Sequence, residues 1–166
     1  MISLDIYLFI LVELCFVAYI DIKHRKIKNI WSIVNFLVAV LLFTTRSEIY
    51  PFQLDSFLFT FACVAAGFLL FLLKIMGGGD SKYLASFFLL IPLSLQDEVF
   101  YYLLIITIII GLFMLLKNSI SNYEKIIQSF KEKDIQGVKS CFGTKFAYAP
   151  VILVTWIWIG WDIFIN

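Results

Sequence analysis

Charge is scarce in this chain, and paired cysteine is absent. Only 15% of its 166 residues are Asp, Glu, Lys or Arg, where a soluble domain carries about 25%. The three cysteines, Cys15, Cys63 and Cys141, form no CxxC pair, so neither a disulfide framework nor a zinc knuckle has support in the sequence. Met1-Ile2-Ser3-Leu4-Asp5 has no basic residue, and no small-residue cleavage site follows the first apolar stretch, so the start does not read as a secretory signal peptide. There is no internal repeat and no low-complexity stretch. His24 is the only histidine and lies in a basic loop, where solvation explains it better than catalysis.

What the chain has in excess is apolar surface. Hydrophobic residues make up 62% of it, and the mean hydropathy is +0.96. That excess cannot all be packed into a water-soluble core, so lipid must serve as solvent for much of it. The expectation is a single integral-membrane domain over 1–166. Six apolar segments, at about 3–21, 28–45, 55–75, 81–96, 98–117 and 146–164, compare with a need of roughly 20 residues per spanning helix. An all-α, polytopic fold with about six transmembrane helices follows, each helix apolar all round.

The net charge of +1 says little about partners, but its distribution is informative. Lys23, Arg25, Lys26 and Lys28 follow the first segment, Lys74 and Lys82 flank the turn after the third, and further lysines lie between 117 and 145. Threading six spans leaves only Arg46 on the opposite side, and the positive-inside rule makes the basic side cytoplasmic. Both termini then face outward. Trp156, Trp158 and Trp161 fit an aromatic belt near the outer end, and Trp31 fits one near the inner face. Residues 118–145 form the one sizeable extramembrane piece. Ile120, Tyr123, Ile126, Ile127 and Phe130 recur there at helical spacing with lysines between them, which reads as a cytoplasmic amphipathic loop on the membrane surface. It either guides substrate or simply connects.

Two acids stand at matched depth. Asp21 closes the first segment and Asp80 opens the fourth, both on the cytoplasmic side. If their helices pack together, the carboxylates can share a proton, because like charges about 3 Å apart do not both ionise. The ionised member can take a proton from water while the protonated one polarises a carbonyl. This chemistry needs no metal or organic cofactor. Gly77, Gly78 and Gly79 before Asp80 give a side-chain-free turn that permits close backbone approach and positive φ. Capping alone also explains this run, since glycine after one helix and aspartate before the next are favoured caps. The fourth segment is short: sixteen residues reach about 24 Å, so the glycine turn is expected to dip into the membrane, buried by protein or lining a wet cavity. Glu13 costs on the order of 2–4 kcal/mol within a span and should face the bundle and find a partner.

Gly77-Gly78-Gly79-Asp80 matches the G-x-G-D motif of intramembrane aspartic proteases, and Lys82 completes the G-x-G-D-x-K form of prepilin peptidases. Asp21, with its basic run and Ile27-Lys28-Asn29, resembles the D-x(5)-I-P-N motif of that family, with Lys28 in place of proline. Ala147-Tyr148-Ala149-Pro150 is similar to its C-terminal Tyr-Ala-Pro-type element. The chain thus resembles the type IV prepilin peptidases over essentially its whole length. It lacks the cytoplasmic CxxC…CxxC region of the long members and looks like the short branch that serves tight-adherence (Flp-type) pili, or the archaeal preflagellin relatives.

The resemblance implies an aspartic endopeptidase of the inner membrane, without N-methyltransferase activity, that removes the leader of a type IV prepilin-like substrate at the cytoplasmic face. Asp21 and Asp80 would be catalytic, and Gly77, Gly78, Gly79 and Lys82 would bind substrate or support the site. The implied partners are the prepilin-like substrate and the lipid bilayer, with no nucleic acid and no cofactor. Two rivals remain at this point: a small ion-coupled transporter, which would place paired acids nearer the midplane between repeats, and a non-catalytic assembly protein.

Overall fold

A computed structural model describes residues 2–72, 76–123, 127 and 147–165. Among these the chain is all helical. Its elements are α1 (Leu4–His24), α2 (Asn29–Thr45), a 3-10 turn (Leu54–Phe57) running into α3 (Leu58–Leu72), α4 (Gly78–Leu89), α5 (Leu93–Ser121) and α6 (Ala149–Phe164). Most of the 118–145 loop lies outside the described residues; α5 itself continues as far as Ser121.

The division between the fourth and fifth segments differs from the sequence expectation. The break falls at Leu90–Pro92 rather than near position 97, because Pro92 is the N-cap of α5 and cannot continue the preceding helix. As a result α4 has 12 residues, about 18 Å, and α5 has 29, about 44 Å. Two helical stretches, Leu54–Leu72 and Leu93–Ser121, are long and apolar enough to cross a membrane.

The helices do not all present apolar faces outward. Of the ten residues from Asp80 to Leu89, nine are buried and only Lys82 is exposed. The shortest helix is therefore the core of the bundle. It packs on α2 and α3, while α1 packs on α6, and α6 on α5. The outer faces of α2, α3 and α5 are apolar: Phe36, Leu37, Phe61, Phe68, Ile108 and Phe113 are all exposed. Contiguous apolar surface of this kind suits a lipid surrounding rather than water.

Such a short core helix can persist because protein groups satisfy both its ends, which apolar surroundings demand. At its C-terminal end, Gln96 Nε2 donates to the carbonyls of Phe88 (3.3 Å), Ile91 (3.1 Å) and Ser56 (3.2 Å). Tyr50 Oη donates to the Leu90 carbonyl at 2.9 Å. Neither role is visible in the sequence. Against α3 the helix fits closely at Gly67, where an added Cβ would lie 2.6 Å from Ser81 Cβ, and Ser81 Oγ donates to the Gly67 carbonyl at 3.0 Å.

One tryptophan departs from the expected belt. Trp158 and Trp161 are exposed, but Trp156 is fully buried. It stacks on Tyr7 at 5.2 Å, meets Phe87 edge to face at 5.7 Å, and donates its indole N–H to the Tyr7 carbonyl at 3.2 Å. A face of α6 that packs on α1 explains this, since Trp156 and Gly160 lie four residues apart on it and Gly160 leaves room only for the Tyr7 hydroxyl.

Candidate active site

Asp21 lies one turn before the end of α1 and is 1% exposed. Its Oδ2 accepts the backbone N–H of Ala149 at 3.0 Å, while Oδ1 is buried with no hydrogen-bond partner among the described residues. Ala149 opens α6, with Pro150 beside it in the first turn. The first N–H groups of a helix have no partner within it and bind anions well, so the start of α6 is a natural seat for this carboxylate. Tyr148, at the cap of α6, shares a 3.2 Å hydrogen bond with Thr107 of α5, which fixes that seat against the longest helix.

Asp80 lies in the first turn of α4 and is 7% exposed. Its Oδ2 accepts the N–H of Gly77 at 3.2 Å, and its own N–H returns to the Gly77 carbonyl at 3.1 Å. The carboxylate therefore does cap its helix, and it also sits at the positive end of the α4 dipole. The glycines act here through close approach rather than positive φ, which none of the described glycines adopts. An added Cβ would sit 2.9 Å from Asp80 Oδ2 at Gly77, 3.5 Å from the Phe71 ring at Gly78, and would collide with the Ile27 carbonyl at Gly79.

That last contact joins the two motifs. After α1, Arg25 turns the chain sharply in a left-handed conformation (φ 49°), with its N–H returned to the Asp21 carbonyl at 2.7 Å. Lys26 and Lys28 stay exposed while Ile27 turns inward to 2% exposure, its backbone against Gly79. Asp21 and Asp80, 59 positions apart by number (80 − 21), thus lie at the same end of the bundle. Lys23, His24 and Arg25 around them are exposed.

Beside the glycine turn, a lateral cavity of about 300 Å³ opens between α3 and α4. Val64, Phe68 and Phe71 give it apolar walls, Gly67 and Gly78 give it width, and Ser81 and Lys82 supply its polar edge. Lys82 therefore faces this cavity. Among the described residues, no group of three His, Cys, Asp or Glu side chains is placed to hold a metal ion.

Deeper in the bundle is a cluster that the sequence reading only half anticipated. Glu13, near the middle of α1, is 5% exposed and faces Asn35 of α2, which is fully buried. With the amide nitrogen turned to the carboxylate, as hydrogen-bond sense requires, Asn35 Nδ2 lies 2.8 Å from both Glu13 oxygens. Tyr83 of α4 lies against both. The cost of burying Glu13 predicted a partner, but nothing along the chain named Asn35 or Tyr83.

The comparisons with known proteins agree with the motifs. The model of the type IV leader peptidase family matches residues 8–116, a stretch that contains Glu13, Asp21 and the glycine-aspartate turn and stops short of Tyr148-Ala149-Pro150. No curated protein and no solved structure matches the chain. A match over most of the sequence, with two buried aspartates at one end of a helical bundle, assigns the chain to the type IV leader peptidase family.

Proposed function

We propose that this peptidase is an aspartic endopeptidase that cleaves the leader from type IV prepilin-like substrates at the cytoplasmic face of the inner membrane, with Asp21 and Asp80 as its catalytic pair. One carboxylate takes a proton from water, whose oxygen attacks the scissile carbonyl carbon. The protonated partner hydrogen-bonds the carbonyl oxygen as charge develops there. Collapse of the tetrahedral intermediate breaks the C–N bond, and the departing nitrogen takes up a proton from the dyad.

The observation that carries this reading is the close contact of the Ile27 carbonyl with Gly79, which sets the segments bearing the two buried acids against each other. Oδ1 of Asp21, unpaired among the described residues, leaves one oxygen available for proton transfer while Oδ2 is held. The lateral cavity, apolar with Lys82 at its edge, suits the apolar segment of a substrate that enters from the bilayer. The chain would cross the membrane several times. Its basic cluster at Lys23, Arg25, Lys26 and Lys28 marks the aspartate end as cytoplasmic. The ion pair of Arg46 with Asp5, at 2.6 Å, would lie at the opposite end. The sequence carries no CxxC pair, which favours peptidase activity alone.

Capping gives a rival account of Asp80 with a distinct expectation. An asparagine oxygen can accept the Gly77 N–H as well as a carboxylate can, so Asp80→Asn preserves the cap and removes only the acid. In a gel-shift assay with a co-expressed prepilin, wild type should trim the leader while Asp21→Asn and Asp80→Asn, at equal abundance, leave it uncut. Normal trimming by Asp80→Asn would leave capping as the sole role of that residue.

A further inference from the structure

The bundle consists of two groups of helices with one aspartate in each. Helices α1, α5 and α6 pack together and carry Asp21; α2, α3 and α4 pack together and carry Asp80. Helix backbones approach less closely across the groups than within them. At the cytoplasmic end by our reading, Ile27 meets Gly79; at the far end, Arg46 reaches Ser3 and Asp5, both at 2.6 Å. Other crossings are the Phe87–Trp156 ring contact, the buried Glu13 cluster, the Gln96 hydrogen bonds from α5 and the rings of Phe100 with Phe59 and Phe88.

We infer that Glu13 is a positioning residue that, through Asn35, holds the Asp21 helix in register with the Asp80 helix. The inference rests on the catalytic reading above. Glu13 is eight residues before Asp21 on the same helix, about 12 Å along its axis. Its carboxyl meets the Asn35 amide through both oxygens at 2.8 Å. Tyr83 of α4 lies against both Glu13 and Asn35, and Ser86 Oγ of the same helix, whose hydrogen goes to the Tyr83 carbonyl at 2.9 Å, packs beside the amide at 3.4 Å. Tyr83 is three residues after Asp80 on α4 and fully buried. A chain of polar contacts therefore runs from the Asp21 helix, across α2, into the first turns of the Asp80 helix.

Stability alone does not account for this arrangement. In an apolar interior, a well-packed hydrocarbon side chain stabilises as well as a buried polar pair or better, whereas directional hydrogen bonds select one geometry among several that pack comparably. Smooth apolar faces between two helix groups would permit sliding. A two-oxygen contact to one amide does not. For a pair of acids contributed by separate groups, small displacements are costly, since a misplacement of about 1 Å can lower a rate about 10²-fold.

The test uses Glu13→Gln, which keeps the size and one of the two oxygen acceptors, and Glu13→Leu and Asn35→Leu, which break the bridge from either side without adding charge. Full-length protein in lipid nanodiscs, with its native cysteines replaced, would carry spin labels at Trp161→Cys on α6 and Phe61→Cys on α3, both exposed positions. Electron-electron resonance then reads the distance between the two groups with no reference to cleavage. Wild type should give a narrow distribution, and Glu13→Gln, with one oxygen contact left, a distribution and a kcat between those of wild type and the leucine variants. Both leucine variants should give a broadened distribution and a kcat lower by about 10²-fold, with KM little changed. Unaltered distances in the leucine variants would overturn the inference. So would a Glu13→Gln variant that keeps the wild-type distances but is as inactive as Glu13→Leu, which would assign the carboxyl a proton-transfer role. If neither leucine variant folds, the bridge is a stability element and the inference also fails. If wild type cleaves no prepilin, the catalytic reading falls while the distance measurement still decides the bridge.

Discussion

The two aspartates are held by opposite strategies. Asp80 is fixed locally, by the N–H of Gly77 three residues away in its own helical turn. Asp21 is fixed at long range, by the N–H of Ala149, 128 residues further along the chain. The Asp80 seat forms as soon as α4 does, because a first-turn carboxylate and the preceding N–H groups meet in any such helix. The Asp21 seat exists only once α6 has docked on α1 through Tyr7, Trp156 and Gly160. The described hydrogen bond of one acid is local and that of the other needs assembly of the bundle, so perturbations of the two groups should not act alike.

Short of removing an aspartate itself, the largest effect should come from striking the point where the two meet. Gly79→Ala places a methyl group against the Ile27 carbonyl, and backbone on both sides cannot yield without separating the two motifs. Prepilin processing should fall about 10²-fold at undiminished abundance on an immunoblot. Gly111→Ala, with nothing within 4 Å of the new atom, should process normally.

A smaller loss is expected from the far end of α4. Gln96→Leu removes a donor shared by three carbonyls and should cost about 1–3 kcal/mol, read by denaturant titration in detergent. The Gly77 cap of Asp80 lies at the other end of that helix, so activity in the fraction that remains folded should be close to normal. Tyr148→Phe reverses the pattern. It breaks the hydrogen bond with Thr107 next to the Asp21 seat, so stability should drop by only about 0.5–1.5 kcal/mol while activity falls by more than that loss of fold explains. The smallest effect belongs to Arg46→Ala. Its ion pair with Asp5 is solvent-exposed and should contribute less than about 1 kcal/mol, with processing unchanged.

The same contrast explains how much the sequence could reveal. Helix class, the six apolar segments and the Gly77-Gly78-Gly79-Asp80 turn are local patterns, and the structure keeps them, apart from the break at Pro92 that shortens α4. The burial of Glu13 was also legible, because an acid in a span must find a partner. What sequence could not supply were groups brought together only by packing: Asn35 opposite Glu13, Gln96 and Tyr50 at the end of α4, and Trp156 turned inward rather than into a belt. Each is an ordinary residue in an apolar helix until its neighbours are known.

The central claim is that Asp21 and Asp80 act as one catalytic unit. Its most direct test is single-turnover cleavage of a prepilin by purified, reconstituted wild type, Asp21→Asn, Asp80→Asn and the double variant. Residues that act together lose activity together, so each single variant should fall by at least about 10²–10⁴-fold, and the double variant should be no worse than either. Cleavage by either single variant at the wild-type rate, or losses that multiply in the double variant, would contradict the account.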